Sequence, residues 1–114
     1  MSNIVKVPST LEEAFEELDK NLLDTDKQFL LSDSETKIIA QIHHGLGRWL
    51  RNNWLLWSGE EGISIWFKSI GIDHADDMSS IILISYIRRS RNEPINLEEQ
   101  VSLYKDFWLK SNPQ

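Results

Sequence analysis

Four times in this chain a helix-capping side chain stands just ahead of apolar residues that recur at helical spacing. No other feature constrains the fold as much. Ser9-Thr10-Leu11-Glu12-Glu13 holds two overlapping capping boxes, Ser9 with Glu12 or Thr10 with Glu13. In each, a hydroxyl and a carboxylate satisfy the free N–H groups of a helix start. Pro8 blocks an earlier start. Leu11, Ala14, Phe15, Leu18 and Leu22 then predict an amphipathic helix over 10–22. Ser32 with Glu35 opens a second helix over 34–52, with Ile38, Ile39, Ile42, Leu46, Trp49, Leu50 and Asn53 on one side. Asp76 is the expected N-cap of 77–90. Asn96 with Glu99 opens a last helix, with a face of Leu97, Val101, Tyr104 and Trp108.

Two connections fill the gaps. Phe29-Leu30-Leu31 is expected to tuck into the core from a short polar stretch. Trp66, Phe67 and Ile70 predict a short helix after the turn at 58–62, stopped by Gly71 at the C′ position. The run Ile81-Ile82-Leu83-Ile84, with Tyr86 and Ile87, is apolar all round, which marks a central buried helix. Its β-branched content also admits a buried strand over 81–87, giving an α+β alternative. The expected fold is mainly α, a compact bundle of about five helices forming one domain over 1–114.

Bulk properties narrow the function classes. A chain of 114 residues makes one ordinary domain with a sizeable core. It contains no cysteine. Disulfides, zinc–thiolate sites and cysteine nucleophiles are therefore excluded, and the reducing cytoplasm is the expected location. No apolar run approaches the length of about 20 residues that a membrane helix needs. The first residues also lack the apolar region of a signal peptide. The net charge of -6 is uneven: residues 1–37 hold nine acids against four lysines, while 38–58 hold Arg48 and Arg51 and no acid. An acidic chain is repelled by a nucleic-acid backbone, so no nucleic acid is expected as partner. Arg88, Arg89 and Arg91 form a basic cluster at a helix end, where they complement the helix dipole.

The densest candidate chemistry lies in His43-His44-Gly45-Leu46-Gly47-Arg48-Trp49-Leu50-Arg51-Asn52-Asn53-Trp54-Leu55-Leu56-Trp57. His44, Arg48 and Arg51 share one helix face, opposite the apolar stripe. Gly45 and Gly47 each cost about 1 kcal/mol against alanine inside a helix. Close packing of a neighbouring helix is the favoured offset; close approach of a ligand, or a local break in the helix, is the alternative. Adjacent histidines on a regular helix point about 100° apart and cannot share one ion. His74 with Asp76 and Asp77 lacks any metal-binding spacing, so no metal and no cofactor are expected. No phosphate-binding loop, nucleophile elbow or dinucleotide fingerprint is present, and no catalytic residue is assigned.

The order Thr10-Leu11-Glu12-Glu13-Ala14, Ile42-His43-x-Gly45-Leu46-Gly47, Arg51-Asn52-Asn53-Trp54-x-Leu56-Trp57 and Gly71-Ile72-x-His74-x-Asp76-Asp77 resembles a family of small uncharacterised bacterial proteins. That family is known as a domain of unknown function. The resemblance covers roughly residues 8–103. It departs at Ala75, where the family pattern has proline. It implies a shared fold and brings no activity with it.

Two functional readings follow. In the first, the chain is a non-enzymatic protein-binding module, for example an immunity or antagonist protein. Its contacts are then the first-helix acids Glu12, Glu13, Glu16 and Glu17 together with Trp54 and Trp57. In the second, His43, Arg51, Asn52, Asp76 and Asp77 converge as a site for a small molecule or anion, an enzyme's site among the options. A third use, as a subunit of an oligomer, would show as a concentration-dependent melting temperature.

Overall fold

The computed structural model describes residues 6–111, and every described element is helical. In chain order they are α1 (Leu11–Asn21), α2 (Asp24–Leu30), α3 (Glu35–Ile42), a π-turn (His43–Gly47), α4 (Arg48–Asn53), α5 (Ile63–Ser69), α6 (Ala75–Ser90) and α7 (Leu97–Ser111). The chain runs from α3 through the π-turn into α4 without a break, so the described residues form six helical bodies rather than about five.

The additional body is α2. The stretch after α1 was expected to be loop, but Asp26 accepts a hydrogen bond from the Leu23 backbone N–H, and the chain makes two turns of helix. Only Leu30 of the expected apolar trio is buried; Phe29 and Leu31 remain exposed. Short helices expose one side, and α2 has room to bury a single position.

The capping signals locate the starts to within two residues. Thr10 caps α1, accepting from the Glu13 N–H, while the Glu13 carboxylate accepts from the Ser9 N–H. Ser34, not Ser32, caps α3, accepting from the Lys37 N–H. Ser32 instead donates to the Phe29 carbonyl and closes α2. Asp76 is not the cap of α6. His74 holds that position, which places Ala75 first in the helix and Asp76 and Asp77 in the first turn, where the dipole favours carboxylates. Ala75 thus occupies the helical position where proline is best tolerated. Asn96 precedes α7 with left-handed backbone, φ +51°.

The strand alternative for 81–87 does not hold. These residues lie within the 16-residue α6, where Ile81, Ile82, Leu83, Tyr86 and Ile87 are buried. The core forms around this helix. From α1 it receives Ala14, Phe15 and Leu18; from α3 and α4, Ile38, Ile42 and Leu50; from α5, Ile63 and Phe67. Each of the larger side chains contributes about 1.5–3 kcal/mol by leaving water. Gly71 has φ +89° and ends α5 as expected. Gly62, at φ +56°, lets the Ile63 N–H reach the Pro8 carbonyl at 2.7 Å; a Cβ there would stand 2.7 Å from that oxygen.

Candidate functional site

The π-turn makes the centre of the molecule irregular. The turn is wound with i→i+5 spacing, wider than an α-helix. The His43 carbonyl within it accepts from Arg51 Nη2 at 3.0 Å. Arg51 Nη1 donates to Ser79 Oγ at 3.0 Å, and Nε lies 3.2 Å from Asp76 Oδ1. Ser79 Oγ in turn donates to the Asp76 carbonyl. One guanidinium therefore ties the π-turn and α4 to the first turn of α6, with every nitrogen in use. The structure brings Arg51, Asp76 and the His43 backbone together, but they are occupied with one another. Asn52 is exposed, and Asp77 faces α7 instead.

Gly47 makes this knot possible. It is buried, and a Cβ there would stand 3.0 Å from Arg51 Nη1 and 3.3 Å from the Ile42 carbonyl. Gly45 differs: nothing lies within 4 Å of where its Cβ would be. It borders a groove of about 490 Å³ between α1 and the π-turn, lined by Leu18, Leu22, Leu46, Trp49 and Trp54, with Glu17 and Asn21 on the α1 side. A smaller cavity of about 200 Å³, lined by Ile42, Phe29 and Asp26, adjoins it and shares Leu22 and Leu46. Side by side they make a trough lined mostly by apolar side chains. Of the seven carboxylates on α1 and α2, Glu17 and Asp26 line it.

The candidate partner contacts are distributed unevenly about this trough. Trp54 is 1% exposed and lies under the groove, held by core packing and an edge contact with Trp49 (centroids 6.2 Å). Trp57 is exposed, but on the loop beyond α4. Glu17 is largely buried at the rim, within 3.7 Å of Lys20. Glu13 is engaged at the cap of α1. Glu12 and Glu16 are exposed, and helical spacing puts them across α1 from Asn21. Gly45 and the partly exposed Trp49 complete the groove. The glycine's cost was legible in the sequence; which face it opened was not.

A second cleft, of about 380 Å³, lies between the start of α6 and the end of α7. Its chemistry comes from His74, Asp77, Lys105 and Trp108. Trp108 Nε1 donates to Asp77 Oδ2 at 2.8 Å, and its ring stacks on His74 with centroids 3.7 Å apart and planes 20° apart. Burial raises the Asp77 carboxyl above its ordinary value, against the opposing effects of the Trp108 bond and the nearby His74. Sequence reasoning placed Trp108 on an apolar face and did not foresee its indole N–H as a polar tie.

The basic cluster is also occupied internally. Arg88 makes a forked pair with Glu35 (2.7 and 3.1 Å) and donates to the Ile95 carbonyl. Arg89 reaches Asp19, and Arg91 donates to the Leu30 and Asp33 carbonyls. The cluster fastens α6 to α1, α2 and α3. His43 and His44 meet edge to face at 4.8 Å across the widened turn. Among the described residues, no group of three or more His, Cys, Asp or Glu is placed to hold a metal ion, and no helix is long and apolar enough to cross a membrane.

A family model described as a domain of unknown function (DUF6794) matches residues 7–90, from the strand of chain before α1 to the last residue of α6. No curated protein and no solved structure matches the chain.

Proposed function

We propose that this chain, which belongs to the DUF6794 family of domains of unknown function, is a non-enzymatic protein-binding module. It holds a basic segment of a partner protein in the trough between α1–α2 and the π-turn. The supporting observation is Gly45. A helical glycine costs about 1 kcal/mol against alanine, and here no neighbour makes use of the missing side chain. Its effect is to leave the groove open above Leu46 and Trp49.

An apolar anchor from the partner fits that opening, with Trp49 and Leu22 as walls. Lysines or arginines beside the anchor meet the acidic wall at Glu17 and Asp26. The wider excess of carboxylates on α1 and α2 speeds the encounter with a basic surface, an effect that weakens with salt. An immunity or antagonist protein would act in this way, by covering a basic working surface of its target.

The test is affinity capture from the native host with wild-type, Gly45→Leu and Trp49→Ala baits, each melted in parallel. One stoichiometric partner with a basic contact surface, retained by wild type and lost by both folded variants, is the expected result. Equal capture by the Gly45→Leu bait, or no capture by wild type, overturns the reading. A double reversal of Glu12 and Glu16 serves as the remote control. It should slow association without abolishing binding.

A further inference from the structure

The first turn of α6 carries two carboxylates in succession, and they face different partners. Asp76 meets Arg51, whereas Asp77 meets an indole supplied by α7. That indole presents two recognition elements at once. Its flat face covers the His74 imidazole, and its ring N–H points at Asp77 Oδ2. The surrounding helix is lightly held: Leu103, Phe107 and Leu109 on the same half of α7 are each more than half exposed, and Trp108 itself is 39% exposed. The cleft beside the stack is open and bordered by Gly71, Ile72 and Lys105. His74 and Asp77 lie within the span matched by the family model, and α7 lies beyond it.

We infer that His74 and Asp77 form a binding site for a planar aromatic heterocycle bearing a ring N–H, and that Trp108 occupies it from within the chain. The imidazole supplies a stacking face that accepts any flat ring. The carboxylate supplies selectivity, because a half-buried acceptor left without a donor is penalised. Trp108, being tethered, competes at a high effective concentration, so a free heterocycle enters readily only when Trp108 is removed. This site is separate from the trough at Gly45 and does not depend on the trough's proposed role.

The experiment uses the full chain as wild type and as Trp108→Ala, titrated with indole and with benzofuran, an isostere lacking the N–H. The His74 ring resonances report occupancy by NMR. Indole should bind Trp108→Ala saturably and about tenfold more weakly to wild type. Benzofuran should bind the variant about tenfold more weakly than indole. Adding Asp77→Ala should erase the preference for indole, and adding Asp77→Asn, which keeps an acceptor, should restore part of it. Indole and benzofuran binding alike, or neither binding a cooperatively melting variant, overturns the inference. If Trp108→Ala fails to melt cooperatively, Trp108→Leu keeps the apolar contact without the N–H, and the same outcomes apply to it.

Discussion

Gly45 and Gly47 stand two residues apart in one widened turn, and their surroundings differ completely. Gly47 faces inward, where Arg51, the Ile42 carbonyl and Ser79 fill the space a side chain would take. Gly45 faces outward onto a groove, with no atom near its missing Cβ. The inward side of the turn is a polar network in which each nitrogen of Arg51 has a partner. The outward side is an apolar trough with an acidic wall. The contrast shows how a single irregular turn serves two ends: its His43 carbonyl takes the Arg51 guanidinium on one side, while Gly45 borders an open groove on the other. A residue type alone does not separate these uses; the occupancy of the space around it does.

The sharpest way to break the comparison is Arg51→Ala. If the inward network holds the fold, this change strips partners from the His43 carbonyl, Ser79 and Asp76 together. The Arg51 side chain is 12% exposed, but Asp76 is 66% exposed and regains water when released. The loss should therefore fall at about 2–3 kcal/mol, below the 3–5 typical of a fully buried pair. Thermal melting should drop by roughly 8 °C or more. A drop of about 2 °C or less would reduce the network to decoration.

Next come the two glycines, which should move stability in opposite directions. Gly47→Ala gains helix propensity but forces a methyl against Arg51 Nη1 and the Ile42 carbonyl, and the carbonyl is backbone and cannot swing aside. A net destabilisation of about 1–2 kcal/mol is expected, in the range for overpacking. Gly45→Ala meets nothing and restores propensity, so it should stabilise by about 0.5–1 kcal/mol. Denaturant midpoints for the pair give the signs directly. Two changes of the same sign would erase the distinction between the faces.

Much of this architecture was legible, and the limits have physical causes. Thr10 with Glu13, the terminator Gly71 and the apolar run of α6 were readable because caps and periodicity act locally. The cap of α3 is Ser34 rather than Ser32 because two hydroxyls compete there, and the closing turn of α2 took the first. The π-turn was foreshadowed by two costly glycines, yet Arg51, which binds it, also reaches Ser79, a contact 28 residues distant that local patterning does not carry. The sequence grouped His43, Arg51, Asn52, Asp76 and Asp77 as one constellation. Successive positions on α6 point about 100° apart, and that rotation sends Asp77 to α7. Trp108 entered the site through its N–H, a property that apolar patterning ignores.

The two adjacent carboxylates extend the comparison to pH, where the smallest effect is expected. Burial raises the Asp77 pKa in the folded state above 3.8, its ordinary value. Between the unfolded and folded values the native chain binds more protons than the unfolded one, so this group's contribution to stability falls as pH rises through that window. It is fully present below the ordinary value and gone above the raised one. Asp77→Asn removes the titration but keeps an oxygen for the Trp108 N–H. Melting temperatures of the variant and wild type, measured from acid to neutral pH, should therefore converge at low pH. The variant should be slightly the more stable near neutrality, because it buries no charge. A variant that instead loses stability relative to wild type as pH rises would mean that the Trp108 bond to the ionised carboxylate outweighs burial, and Asp77 would then belong with Asp76 as a structural anchor.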